Sequence, residues 1–290
     1  MPDLVQSAPA GVPASAPAQR YFQRFTREQR YMHAVLFTTF LGLAATGLPM
    51  RFSESFWARR VAAGVGGFGA ILFFHKFFAV VLTIAFLIHV REVFVRGVLN
   101  REKGIFWGPT SMVANWKDVK DLFGHMRWFL GLGPKPQFER YAYWEKFDYW
   151  AVFWGIFIIG GSGALLWGKV AVAKFLPGWV FNVALIFHGE EAVLAAVFLF
   201  TVHFFNNHFR PDKFPLDTVM FTGAMSLEEF KREHAVEYNR LVETGRLESH
   251  RVPAPSPAMA LGSRILGFTL LTIGLLLLLL VAIGFVGHAG

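Results

Sequence analysis

Five stretches of this chain, residues 31–50, 67–90, 147–167, 179–205 and 265–286, stay apolar for longer than a folded soluble domain tolerates. A helix rising about 1.5 Å per residue needs about 20 apolar residues to cross the hydrocarbon core of a bilayer, and each stretch approaches or exceeds that. Backbone polar groups cannot be left unpaired in lipid, so such segments fold as helices. The expected fold class is therefore all-α and integral to the membrane: a four-helix transmembrane bundle and a fifth, C-terminal transmembrane helix. A chain that is 54% hydrophobic with a mean hydropathy of +0.42 agrees with that reading. The net charge of +8 would suggest a nucleic-acid partner in a soluble protein; here it has to be read loop by loop.

The basic residues divide unevenly. With the N-terminus placed in the cytoplasm, the segments before helix 1, between helices 2 and 3 and between helices 4 and 5 hold 4, 10 and 8 Lys and Arg, against 3 and 2 in the opposite loops and none in the C-terminal tail. That asymmetry predicts a cytoplasmic N-terminus and a periplasmic C-terminus in a bacterial inner membrane. It also explains much of the charge as topology and lipid-headgroup contact rather than nucleic-acid binding.

Residues 1–18 are Pro/Ala-rich, lack the basic and apolar regions of a secretory signal, and are expected to form a disordered tail. Residues 19–245 are read as the bundle with its cytoplasmic loops, and 246–290 as a linker, centred on 252–258, with the fifth helix. Residues 115–132 carry an amphipathic, interfacial helix pattern. Ser226-Leu227-Glu228-Glu229 reads as a capping box opening a polar helix to about Val242. No internal repeat is evident, and the glycines at 64–69 lack the strand–helix setting of a phosphate loop.

Five of the ten histidines, His33, His75, His89, His188 and His203, fall in or at the ends of the apolar stretches. Ionisable residues inside a membrane are costly and mark functional sites. His75 and His89 are 14 residues apart on the second stretch, and His188 and His203 are 15 apart on the fourth. Those spacings correspond to about 21–23 Å along a helix and to azimuths about 40° and 60° from exact register. The second and fourth stretches run in the same direction, so His75 lies level with His188 near the outer face, and His89 level with His203 near the inner face. The pattern predicts two stacked bis-imidazole sites for two non-covalent b-type haems. With no Cys in the chain, covalently attached haem and Cys-ligated iron–sulfur clusters are excluded. Arg51, Arg59 and Arg60 outside, and Arg30, Arg91 and Arg210 inside, are candidate propionate contacts. Glu190 and Glu191 follow His188 directly, and Glu191 is the candidate proton acceptor on that side. His208 is expected on the surface.

With these residues in place, the chain resembles the di-haem cytochrome b/b6 superfamily over roughly residues 25–245. The 14/15 spacing is similar to the b6 type. Phe74-His75-Lys76-Phe77-Phe78-Ala79, Ile186-Phe187-His188 and Arg30-Tyr31-Met32-His33 resemble the membrane subunits of formate dehydrogenases and hydrogenases. Tyr143-Trp144-Glu145-Lys146-Phe147-Asp148-Tyr149-Trp150 and His188-Gly189-Glu190-Glu191-Ala192 are similar to bacterial cytochrome b/b6-domain proteins. The resemblance implies electron transfer between a quinone or menaquinone pool and a partner: a multihaem c-type cytochrome, an iron–sulfur protein, or a dehydrogenase or hydrogenase. The chain would then be one subunit of a quinone-linked oxidoreductase rather than a complete enzyme. The b6 pattern pairs His89 with His203 at the inner haem; the formate dehydrogenase pattern pairs His33 with His203. The symmetric two-helix arrangement favours His89. The competing expectation is a haem-free anchor or small transporter that uses the histidines as a proton relay.

Overall fold

The computed structural model describes residues 19–287, so the N-terminal tail expected at 1–18 lies outside the described residues. Five helices are long and apolar enough to cross a membrane: Arg27–Arg51, Phe68–Leu99, Tyr143–Trp167, Trp179–Phe209 and Pro257–Val286. They are called here the first to fifth spans. Each begins or ends beyond its apolar stretch because capping residues, not hydrophobicity, set helix ends. Thr26 caps the first span in a reciprocal box with Gln29. Ser256 caps the fifth, with Pro257 in its first turn where no N–H is needed. The fifth helix therefore starts well before the apolar run, and the expected linker shrinks to a few residues.

The first span packs along the second, and the third along the fourth. The fifth joins the same core. Its buried face, Ser263, Gly267, Leu271, Gly274, Leu277, Val281 and Gly284, recurs every three or four residues. Its small members let Phe200, Phe204 and Phe52 press against the helix backbone. Large apolar side chains such as Phe73, Ile84, Leu87, Phe157, Leu185 and Leu276 point outward and stay exposed, as lipid-facing residues must.

The polar segments gather at one end of the bundle, called here the capped end. A small sheet, not expected from local patterning, lies there: Tyr21–Gln23 (β1) sits between Ala224–Ser226 (β2) and Arg251–Val252 (β3), both pairings antiparallel. The expected helix from Ser226 to about Val242 forms as two pieces, Leu227–Glu233 and Ala235–Glu243, broken at His234. Ser226 accepts from the Glu229 N–H, but the Glu229 carboxylate turns away to pair with Lys213, so only half of the box forms. The interfacial helix is Trp116–Phe129, capped by Asn115 and Asp118. Trp116, Phe123, Met126 and Phe129 are exposed along it, while His125 is buried. Lys146–Asp118 at 2.8 Å ties it to the start of the third span.

Many basic residues of the cap are neutralised within it. Arg24 pairs with Glu145 (2.9 Å), Arg140 with Glu237 (3.1 Å), and Arg210 with Asp212 (2.7 Å) and Glu233 (2.5 Å). Burial pushes the Asp212 carboxyl up, but a hydrogen bond with Glu233 and the Arg210 guanidinium together hold it well below its ordinary range.

Candidate functional site

His75 and His188 meet between the two helix pairs. Their ring centres are 6.1 Å apart with planes at 81°. Imidazole bonds to first-row metal ions run about 2.0–2.1 Å and a ring centre lies roughly 1.1 Å behind its nitrogen, so two imidazoles on opposite sides of one ion have centres about 6.2–6.4 Å apart. The observed separation is within a few tenths of an ångström of that value.

Both rings are held from behind in the same way. The Nδ1 of His75 bonds the Thr46 hydroxyl at 2.9 Å, and the Leu43 carbonyl lies beside the same ring. The Nδ1 of His188 bonds the Ile159 carbonyl at 2.9 Å and the Ser162 hydroxyl at 3.3 Å. A carbonyl only accepts, so each Nδ1 carries the proton and each Nε2 presents a lone pair. Thr46 and Ser162 each donate to the carbonyl four residues earlier, Gly42 at 2.7 Å and Ile158 at 2.6 Å, and so are free to accept from the ring. No hydrogen bond occupies either Nε2 among the described residues. Orientation of a metal-binding imidazole through its other nitrogen is the usual device for fixing a ligand's tautomer.

Gly47 and Gly163 complete the two cradles. A Cβ at Gly47 would stand 3.2 Å from His75 Cε1, and one at Gly163 would stand 2.9 Å from His188 Cε1. Leu43-Ala44-Ala45-Thr46-Gly47 and Ile159-Gly160-Gly161-Ser162-Gly163 are thus equivalent: a carbonyl, two small residues, a hydroxyl and a glycine, each backing one histidine. Sequence inspection found no repeat because only the residue classes recur; the paired hydroxyl–glycine steps were the available signal. A π turn at Ile156–Gly160 contains Ile159. Such turns disturb the regular helical hydrogen bonding and concentrate at functional sites.

At the capped end the two expected inner ligands have different hydrogen-bond partners. His203 Nδ1 donates to Asp148 Oδ2 at 2.8 Å, which again leaves Nε2 for another partner. The His89 Nε2 is bonded to the Tyr149 hydroxyl at 2.9 Å. His33 instead lies within Coulombic range of His203 and His208, makes no hydrogen bond among the described residues, and sets its ring edge-on to Phe37. A second π turn, Leu199–His203, precedes this site. One extra residue in a turn makes the 15-residue separation act as about 14, which shifts His203 by about 100° from its regular-helix position. A third π turn, Phe205–Phe209, carries His208 inward. Its Nδ1 is buried without a partner, so His208 is not the surface residue expected.

The arginines separate by environment. The Arg30 Nε is buried and unpartnered at the capped end. Arg210 is buried and committed to Asp212 and Glu233, although its Nη1 has no partner. Arg91 is exposed. At the opposite end, Arg51 pairs with Glu190 at 2.7 Å, and Arg60 lies over the Phe56 ring. Glu191 accepts from Trp154 Nε1 at 3.4 Å.

Among the described residues, no three His, Cys, Asp or Glu converge as a metal site. A porphyrin supplies four equatorial nitrogens itself and asks the protein for axial ligands, so two opposed imidazoles suffice. The donor set at His75–His188 fits that requirement in separation and tautomer. No protein-family model matches the chain, and no curated protein does either.

Proposed function

We propose that this chain is a di-haem b-type cytochrome subunit of the bacterial inner membrane, with its N-terminus cytoplasmic and its C-terminus periplasmic. It carries electrons between the quinone pool and a partner redox subunit. The observation that carries the reading is the pair of Nδ1-anchored imidazoles, His75 and His188, 6.1 Å apart inside the bundle. His75 and His188 would hold a haem iron, which when bound would supply reversible one-electron transfer.

The protein's own contribution is positional. Thr46, Leu43, Ile159 and Ser162 hold the two axial nitrogens at the periplasmic level. Asp148 holds His203 at the cytoplasmic level, where we assign His33 rather than His89 as its partner, because the His89 Nε2 is engaged by Tyr149. A carboxylate on a ligating imidazole increases its basicity and favours the oxidised metal. Arg30, with its buried unpartnered Nε, is positioned for a cytoplasmic-side propionate; Arg51, already paired with Glu190, is the periplasmic candidate. The partner is a multihaem c-type cytochrome, an iron–sulfur protein, or a dehydrogenase or hydrogenase.

The test is the haem content of the purified protein, measured by reduced-minus-oxidised spectra and pyridine extraction. Two haems per chain are expected, with one lost in His33→Ala and none lost in His89→Gln. A haem-free protein overturns the proposal and leaves the histidines as a proton relay. Loss of a haem in His89→Gln with full retention in His33→Ala overturns the assigned pairing.

A further inference from the structure

The His89–Tyr149 pair is left over once the axial ligands are assigned. It sits between the second and third spans, on the side of Tyr149 away from its neighbour Asp148, since adjacent helical residues point about 100° apart. The Nε2 and the phenol oxygen are 2.9 Å apart. The His89 Nδ1 makes no hydrogen bond among the described residues. A polar pair at membrane depth with unused hydrogen-bonding capacity is costly unless something else completes it.

The surroundings are aromatic. Phe153 lies 5.2 Å from the Tyr149 ring and 6.3 Å from the His89 ring, Phe86 packs on Phe153 at 5.0 Å, and Phe157 continues the wall at 6.4 Å from Phe86. Val90, Trp150 and Phe157 are exposed on the lipid side. Trp150 Nε1 donates to the Met112 carbonyl at 3.0 Å, which draws the connecting loop against the aromatic cluster. Arg91 projects about 200° away from His89 around the helix, so it does not face the pair. Aromatic walls, two hydrogen-bonding groups and exposed apolar neighbours suit a flat, uncharged, lipid-soluble ring bearing carbonyl or hydroxyl oxygens. The Glu92 carboxylate lies within Coulombic range of His89, which disfavours an anionic phospholipid headgroup.

We infer that His89 and Tyr149 form the binding site for the ring of a membrane quinone, with one ring oxygen hydrogen-bonded to the pair and the ring lying against Phe153. This rests on the proposed function only for the identity of the ligand. The site lies one residue along the third span from the carboxylate that holds His203.

The probe is a photoreactive azido-quinone with a short isoprenoid tail, applied to the full chain in phospholipid nanodiscs, with labelled peptides mapped by mass spectrometry. Labelling is expected on the segments carrying His89 and on 149–157, displaced by excess unlabelled quinone. Tyr149→Phe and His89→Gln should each weaken that competition about tenfold, the loss expected for one hydrogen bond made in a desolvated site. In haem-loaded protein they should raise the quinol KM for haem reduction by a similar factor. Both haems and reduction by dithionite should be unchanged. Labelling elsewhere, labelling that quinone does not displace (a lipid slot), or labelling indifferent to both substitutions overturns the inference. So does loss of a haem in His89→Gln, because the residue would then be a ligand. Absence of haem from the unsubstituted protein sinks the proposed function alone, since labelling of that protein still decides whether this site binds quinone.

Discussion

Replacing Gly163 with Ala is the sharpest probe of the His75–His188 centre. The added Cβ would lie 2.9 Å from His188 Cε1 and 3.3 Å from its Nδ1. Carbon pairs rest at about 3.5–4.0 Å, so the ring must retreat by about 0.6 Å or more. The Nδ1–Ile159 bond, now 2.9 Å, cannot survive that displacement unchanged. Overpacking of this kind costs about 1–3 kcal/mol, and a weakened hydrogen bond adds about 1 kcal/mol. Together these predict haem binding at this centre weakened by a factor on the order of 10 to 10³. Gly47→Ala needs a shift of only about 0.3 Å at the same contact distance, because its Cβ would stand 3.2 Å from His75 Cε1; its effect should be several-fold smaller. Gly161→Ala meets nothing within 4 Å and serves as the control. The assay is haem per chain after washing in detergent, read with the midpoint potential of each remaining haem. Gly163→Ala should lose the His75–His188 haem and keep the other. Equal loss in Gly161→Ala, or full retention in Gly163→Ala with an unchanged spectrum, would refute the cradle argument.

Two further outcomes follow from the capped end. Asp148→Ala removes the acceptor of the His203 Nδ1–H; haem affinity at that centre should fall about 10–100-fold, and the midpoint potential of any retained haem should rise, while the His75–His188 haem is unaffected in both readouts. His125 is held neutral by burial, with help from the Arg210 and Lys135 charges, its pKa pushed down to about 4, whereas an unfolded histidine titrates near pH 6.5. The unfolded chain therefore takes up the proton first as pH falls. The stability of the cap should be undiminished above about pH 6.5 and decline progressively toward about pH 4, with His125→Phe flattening part of the slope in thermal unfolding. A melting temperature in the unsubstituted protein that holds or rises across that interval contradicts this.

The membrane class and the number of helices long enough to span were legible in the sequence. Apolar run length and helical rise are local quantities that do not depend on which helices become neighbours. His75 and His188 were matched by depth alone, and the structure brings their rings together. Depth could not choose between His33 and His89, because both lie at the level of His203 on different helices. That choice depends on helix rotation, and the π turn before His203 changes rotation by about 100° without altering the sequence pattern. The same holds for the cap. The strands β1, β2 and β3 are two or three residues each and join segments some 200 positions apart, so no local periodicity announces them. Each strand is stabilised only by its neighbours, and such pairing exists only after the helices have brought the segments together. The sequence by itself determined which segments are long and apolar enough to enter the membrane and how far apart the histidines stand along them. The tertiary structure decided which nitrogen faces which partner, because azimuth accumulates over a whole helix and is reset by a single inserted residue.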